Sequence, residues 1–353
     1  MNSLFPQLPV KVTCGFVSLL HKNQCSIAAT LVPGRLIFIS ADDNGGLAIT
    51  DTLLDAPWGI ATGSDYLAVS TRRDITRYAN NGRLAQHCPG ATYDAYFAPR
   101  LAHSTGNCQI HDLWAEGDTL YAVNTRFSVI CRFDAAYSFT PVWRPPFITE
   151  VMPEDRCHLN GMAWENGRLT YATAFGEFNV NRGWRNHPPC HGILMDCAVN
   201  EILTRGLCLP HSPRVIDGQL YLTEMGKGHL LRVDRKSGEV NVLQALPGFA
   251  RGIAKIGECA LVGLSLPRES FTGWDLPVKT SVERCIAGIA AVDLASGQLM
   301  GMLEFAGGVE EVSDLQVLRG VRSPGVLDLS RWDGLYPIDT PDAGFWMKQG
   351  HNE

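Results

Sequence analysis

A degenerate tetrapeptide recurs six times along this chain, and its copies head closely similar local patterns. The copies read Trp58-Gly-Ile-Ala, His111-Asp-Leu-Trp, Asn160-Gly-Met-Ala, His211-Ser-Pro-Arg, Arg251-Gly-Ile-Ala and Ser313-Asp-Leu-Gln. Nine residues after the head of each of the first five stands Leu67, Leu120, Leu169, Leu220 or Ala260, with Gly63, Gly117, Gly167, Gly218 or Gly257 between. An apolar run, a turn carrying glycine and a second apolar run make a β-hairpin. The heads lie 53, 49, 51, 40 and 62 residues apart, the length of one four-stranded blade of a β-propeller. Runs such as Leu120-Tyr-Ala-Val and Leu220-Tyr-Leu-Thr are short and β-prone, which argues against a helical solenoid of similar period.

The sixth copy departs from the others. After Ser313 the chain continues through Arg319-Gly-Val-Arg-Ser-Pro324, with no glycine turn and apolar partner strand. The missing pieces stand at the other end, where Gly34-Arg-Leu-Ile-Phe-Ile-Ser40 reads as an orphan second strand and Leu47-Ala-Ile-Thr50 as a third. The C-terminal segment is therefore expected to supply the inner strand of the blade that the N-terminal segment begins, which removes an edge open to pairing. The expected fold class is all-β: a six-bladed β-propeller closed by its N- and C-terminal strands, with residues 1–353 as one domain. Seven blades are the alternative, should Cys25–Leu31 be an inner strand in its own right.

Composition narrows the surroundings. A formal charge of −6 with scattered Lys and Arg argues against a nucleic-acid partner. No apolar run reaches the roughly 18 residues that a spanning helix needs. Met1-Asn-Ser-Leu-Phe-Pro6 carries no basic leader, and Gly15-Phe-Val-Ser-Leu-Leu20 is too short for a secretory core. Eleven cysteines, an odd number without a CxxC spacing, read as mostly buried, reduced thiols. The expectation is a cytoplasmic protein acting on a small molecule, without nucleic-acid or membrane partners; its oligomeric state is left open.

In a strand, residues two apart share a face. His158 precedes Asn160 by two and Glu311 precedes Ser313 by two, so both join Trp58, His111, His211 and Arg251 on the expected channel. Three imidazoles and a carboxylate from separate strands suit a divalent transition metal, zinc first, with iron or copper as alternatives. His111, His158 and His211 are the expected ligands, and Glu311 is a fourth ligand or a general base. Glu310, its neighbour, faces the other way. Such a metal would polarise a carbonyl or lower the pKa of a bound water to about 7.

Arg251 offers a fork for an anionic group, Trp58 an apolar wall, and Asn160 and Arg214 further substrate contacts. For Arg214 and Arg126, bridging blades through backbone carbonyls and acidic side chains is the favoured role. A lone strand histidine is more often a hydrogen-bonded structural residue; equivalence within the repeat sets these three apart. Asn186-His-Pro-Pro-Cys-His191 with Cys197 lacks a second ligand pair at finger spacing and reads as a surface loop over the mouth. His103 is placed in a connection. No GxSxG, P-loop or dinucleotide fingerprint occurs. The activity expected is that of a metal-dependent enzyme working on a small, polar, anionic metabolite by lyase or hydrolase chemistry. The alternatives are an iron- or copper-dependent oxygenase at the same site and a non-catalytic propeller that binds a peptide or glycan.

The strings Asn124-Thr-Arg-Phe-Ser128, Trp143-Arg-Pro-Pro-Phe147, Glu154-Asp-Arg-Cys-His-Leu-Asn-Gly161, Pro210-His-Ser-Pro-Arg214, Leu246-Pro-Gly-Phe-Ala-Arg-Gly252, Arg268-Glu-Ser270 and Gly307-Gly-Val-Glu-Glu311 occur in order along nearly the whole chain. Together they resemble a family of bacterial conserved hypothetical proteins, which implies one integral unit and no particular reaction. In architecture the chain also resembles the peptidyl-hydroxyglycine amidating lyases, six-bladed propellers holding zinc on three histidines from different blades. Gluconolactonase-like propellers share the blade count but hold calcium through Glu, Asn and Asp, a pattern that the three histidines depart from. Carotenoid-cleaving oxygenases hold iron on four histidines in seven blades, and here Glu311 would stand in the fourth place. These are likenesses of fold, and fold alone does not fix function.

Overall fold

The computed structural model describes residues 8–268, 273–328 and 335–348. Six four-stranded antiparallel blades form a closed ring, in which each inner strand touches the next and the last touches the first. The inner strand of blade 1 is Glu311–Arg319; those of blades 2 to 6 are Ile60–Thr62, Ile110–Glu116, Leu159–Glu165, Pro210–Ile216 and Phe249–Ile256. The hairpins that the repeat predicts are the first two strands of blades 2 to 6. At Asn166-Gly167 and Asp217-Gly218 both turn residues have positive φ. That is the type I′ geometry, which Asn-Gly and Asp-Gly adopt at little cost.

Ring closure follows the expected route, with one correction inside blade 1. Cys25–Val32 pairs directly with the C-terminal strand, Cys25 opposite Arg319 and Val32 opposite Glu311. Arg35–Ala41 is therefore the third strand rather than an orphan second one, and Leu47–Leu53 is the fourth. Cys25–Leu31 founds no seventh blade. The misreading has a physical cause: Ile27, Ala29 and Leu31 pack toward blade 6, while Ala28 packs toward blade 2. A strand buried on both faces is a continuous apolar run, and its periodicity does not reveal its place in the sheet.

Each neighbouring pair of blades encloses its own apolar layer. Close approach at the ring uses small residues: a Cβ on Gly161 would stand 2.5 Å from Pro213 Cδ and 2.9 Å from Ser212 N of the next blade. Two outer edges gain an extra strand, Val10–Val12 on blade 6 and the parallel Pro324–Val326 on blade 2. Beyond the repeat lie a helix, Cys14–Asn23, and a hairpin of Leu335–Asp339 with Gly344–Lys348. His103 belongs to the outer strand of blade 2, Ala95–Ser104, and not to a connection. Among the described residues no helix is long and apolar enough to cross a membrane.

A charged staple ties the inner strands together. Arg214 of blade 5 forks onto Asp112 of blade 3 at 2.8 and 2.9 Å. Its guanidinium also donates to the Met162 carbonyl of blade 4 at 2.9 Å and lies 3.9 Å from Asp314 of blade 1. Arg214 thus spends its fork inside the ring rather than presenting it to a ligand. Burial disfavours its charge, but Asp112 and Asp314 hold its pKa above the ordinary value.

Asp314 is pushed up to about 7 by burial, against the opposing pull of Arg214. A carboxyl whose folded pKa exceeds its unfolded one binds the proton more tightly when folded, so its ionisation removes stability as pH rises from about 4 to about 7. Asp314→Asn should therefore gain stability relative to wild type between pH 4.5 and 8, on the order of 2–4 kcal/mol from a shift of this size. Urea midpoints of both proteins at the two pH values check this, and a difference independent of pH would contradict it.

Candidate active site

Apart from Arg214, the expected site residues stand at one end of the channel, where the inner strands begin. His111 and His211 are the second residues of their strands and Glu311 is the first of its own; His158 directly precedes Leu159, and Trp58 lies two residues before Ile60. Because second strands run back to this end, the connections 125–128, 175–191 and 225–228 cluster there too.

His111 and His158 meet edge to face with ring centroids 5.1 Å apart, and Trp58 stacks on His111 at 4.9 Å. Phe175 bridges the other two imidazoles, 4.3 Å from His158 and 5.3 Å from His211. Trp184 of the long blade 4 connection covers His158 at 4.4 Å and donates from its indole to the Asp155 carboxylate at 3.1 Å.

All three imidazoles are anchored through Nδ1. His111 Nδ1 lies 3.0 Å from the Gln109 carbonyl, His211 Nδ1 lies 3.1 Å from the Leu209 carbonyl, and His158 Nδ1 lies 3.0 Å from both Asp155 carboxylate oxygens. Thr125 also meets His111 Nδ1 at 2.7 Å while donating its own proton to the Leu159 carbonyl. Carbonyls and carboxylates only accept, so in each neutral ring the proton sits on Nδ1 and Nε2 carries the lone pair. Among the described residues nothing hydrogen-bonds these Nε2 atoms. Burial, then the charges of His158 and Arg251, hold His111 well below the usual histidine pKa. Burial, then Arg251, do the same for His211.

Beside the imidazoles stands a cationic group. Arg251, 4 % exposed, donates to Glu311 at 2.7 Å; Arg268 pairs with the other oxygen of the same carboxylate, and Ser313 donates to it at 2.8 Å. Burial lowers Arg251 to about 10, and burial with the charge of Arg251 lowers Arg268 to about 9. Both remain cations at neutral pH, so one carboxylate is shared by two guanidiniums. Glu311 is 2 % exposed and Glu310 is exposed, the expected parity. Asn160 accepts from Thr173 at 2.8 Å, and its amide nitrogen is buried without a partner.

A cavity of about 350 Å³ adjoins the cluster, lined by Gln109, Arg126, Asp155, Asn181 and Arg182 among others. A cavity of about 420 Å³ opens at the opposite end, beside Cys25, Ser40, Asp42 and Tyr93. Its lining includes one imidazole, His21, and one guanidinium, Arg322, against the three imidazoles and two guanidiniums gathered at the first end.

Sequence reasoning missed Arg268, Asp155, Phe175 and Trp184 as site residues. The available signal was length: the long spacing of 62 residues before Ser313 and the segment between Ala174 and Gly192 both place extra chain over the mouth. Of the string Arg268-Glu-Ser270, Glu269 and Ser270 lie outside the described residues. Among the described residues, no three His, Cys, Asp or Glu side chains are gathered into a group able to hold a metal ion.

Fold and site together define a six-bladed propeller whose channel mouth collects imidazoles and guanidiniums. The chain belongs to the family described as "Domain of unknown function (DUF4915)", which matches residues 14–327. No curated protein matches the sequence. Among solved structures, a chain of the nidogen/laminin complex superimposes with a TM-score of 0.53 at 14% identity, covering 84% of this chain and 98% of that one. The streptogramin B lyase structure gives 0.40 at 12% identity, covering 70% and 68% respectively. The nidogen/laminin likeness is one of fold alone.

Proposed function

We propose that this chain is an enzyme that takes a small anionic metabolite into the mouth of the channel and acts on it by lyase or hydrolase chemistry. The observation that carries the reading is the set of three Nδ1-anchored imidazoles, their Nε2 lone pairs open, beside two guanidiniums that share one carboxylate. A carboxylate or phosphate of the substrate binds Arg251 and Arg268 through charge-assisted hydrogen bonds, relieving their mutual repulsion. His158 is the general base. Its Nε2 accepts a proton from the substrate carbon or from water, while Asp155 fixes the ring and stabilises the imidazolium. His111 and His211, kept neutral, accept hydrogen bonds from substrate hydroxyls. Negative charge developing on the substrate faces the two arginines, which need no reorganisation to stabilise it.

The test uses a panel of small carboxylates, esters and lactones in D2O. Wild type is expected to exchange a hydrogen next to the carboxylate, or to hydrolyse a member, and His158→Ala to slow that step by about 10²–10⁴-fold. Binding without any turnover would replace the enzyme with a non-catalytic binding propeller.

A second reading places a divalent transition metal, zinc before iron or copper, on the same three Nε2 atoms. It is favoured by the Nδ1 anchoring, since metal-bound imidazoles usually donate their other N–H to a carbonyl or carboxylate. Two neighbouring guanidiniums and a Glu311 already engaged by both weigh against it, as does the lack of an assembled ligand group among the described residues. Metal content of untagged protein decides. Near-stoichiometric metal that both His111→Ala and His211→Ala lose while staying folded would put this reading first, and active metal-free protein would remove it.

A further inference from the structure

The connection that covers His158 ends at Pro189–His191, and there it meets the chain that leads to His211. Leu209 N donates to the Pro189 carbonyl at 3.3 Å, so the residue after Cys208 is bonded to the residue before Cys190. Pro189–His191 is a single 3-10 turn, and it sets Cys190 beside Cys208 so that a side-chain hydrogen bond joins the two thiols, the close approach that a disulfide requires. The next residues along stay paired, Gly192 opposite Leu207. Both sulfurs belong to one apolar cluster with Phe175, Trp184 and Met225. Cys208 is buried and Cys190 is half-buried. Burial, then the Cys190 thiol beside it, push the Cys208 thiol up. Lys227, held by Glu224 at 2.9 Å, is the cation that both sulfurs feel.

We propose that Cys190 and Cys208 are a modification site: a thiol pair that a peroxide oxidises to a disulfide, fastening the covering connection onto the link between blades 4 and 5. Cys190, the more reachable sulfur, attacks one peroxide oxygen as thiolate, giving a sulfenic acid and releasing water. Cys208 then gives up its proton and attacks the Cys190 sulfur, expelling the sulfenic oxygen as a second water. Two thiols lose two electrons, and one hydrogen peroxide becomes two waters. The bond ties the segment carrying Trp184 to the short link between blades 4 and 5 whose Leu209 carbonyl orients His211, so the mouth is held covered in the oxidised form.

The full-length protein is treated with hydrogen peroxide, its remaining thiols are alkylated, and it is digested without reductant. Two of the eleven thiols are expected to disappear, with a linked peptide pair lighter than the sum of its parts by two hydrogens. Reductant should restore both thiols. Cys190→Ser and Cys208→Ser should each lack the link, whereas Cys285→Ser, in the same cluster, should keep it. Sulfinic acid at Cys190 with Cys208 still alkylated, or a linked pair persisting in folded Cys190→Ser, would overturn the proposal.

Discussion

Arg214→Met is expected to lower the unfolding free energy by about 3–5 kcal/mol, the cost of removing one partner from a buried ion pair. The methionine fills much of the volume, but Asp112 keeps only its bond from Met162 N at 3.0 Å and loses both guanidinium bonds. Asp314 loses the guanidinium whose charge opposes the burial cost of its own. Because Arg214 reaches the inner strands of blades 1, 3 and 4 from blade 5, the loss falls on ring closure rather than on one sheet. Urea unfolding at pH 7 measures it. The deficit should shrink at acid pH, where the stranded carboxylates protonate. A loss below about 1 kcal/mol, the level of an exposed pair, would mean that the staple contributes little.

Arg251→Met is expected to weaken binding of a small carboxylate or phosphate by about 100-fold, which corresponds to about 2.7 kcal/mol. Arg251 is buried at the mouth, and a charge-assisted bond formed there is worth more than one in water. The fold should persist, since Glu311 keeps Arg268 and Ser313 as partners. Arg251→Lys should recover only part of the affinity, because an ammonium cannot make the two parallel bonds of the fork. The substrate need not be known in advance: a ligand of the folded state raises the melting temperature according to its concentration over Kd, so a thermal-shift panel of small anions finds the ligand and then ranks the variants. Equal shifts in wild type and Arg251→Met would exclude Arg251 from the anion site.

The ring and its closure were legible because the repeat acts twice, once through glycine turns that fix hairpins and once through heads that fix the inner strands. The strand order of blade 1 was not, because Cys25–Val32 is buried on both faces and shows no alternation. The site divides in the same way. His111 and His211 were found by equivalence within the repeat, and Glu311 by parity with Ser313. His158 sits just before its strand with φ +52, yet still packs against His111. Arg268 and Trp184 stand on long connections where no periodicity operates. Arg214 was legible as a bridging residue only in outline, since its partners Asp112 and Asp314 are repeat neighbours of His111 and Ser313 whose side chains turn the other way along the strand.

In the proposed function, the Nε2 atoms of three imidazoles and the forks of Arg251 and Arg268 address one bound anion. A crystal structure of the protein with the most stabilising member of the anion panel tests it most directly. The predicted result is an anion bonded to both guanidiniums with an imidazole Nε2 within about 3.2 Å of it. An anion seated only at the opposite end, beside Ser40 and Tyr93, with the mouth of the channel unchanged, would contradict the account.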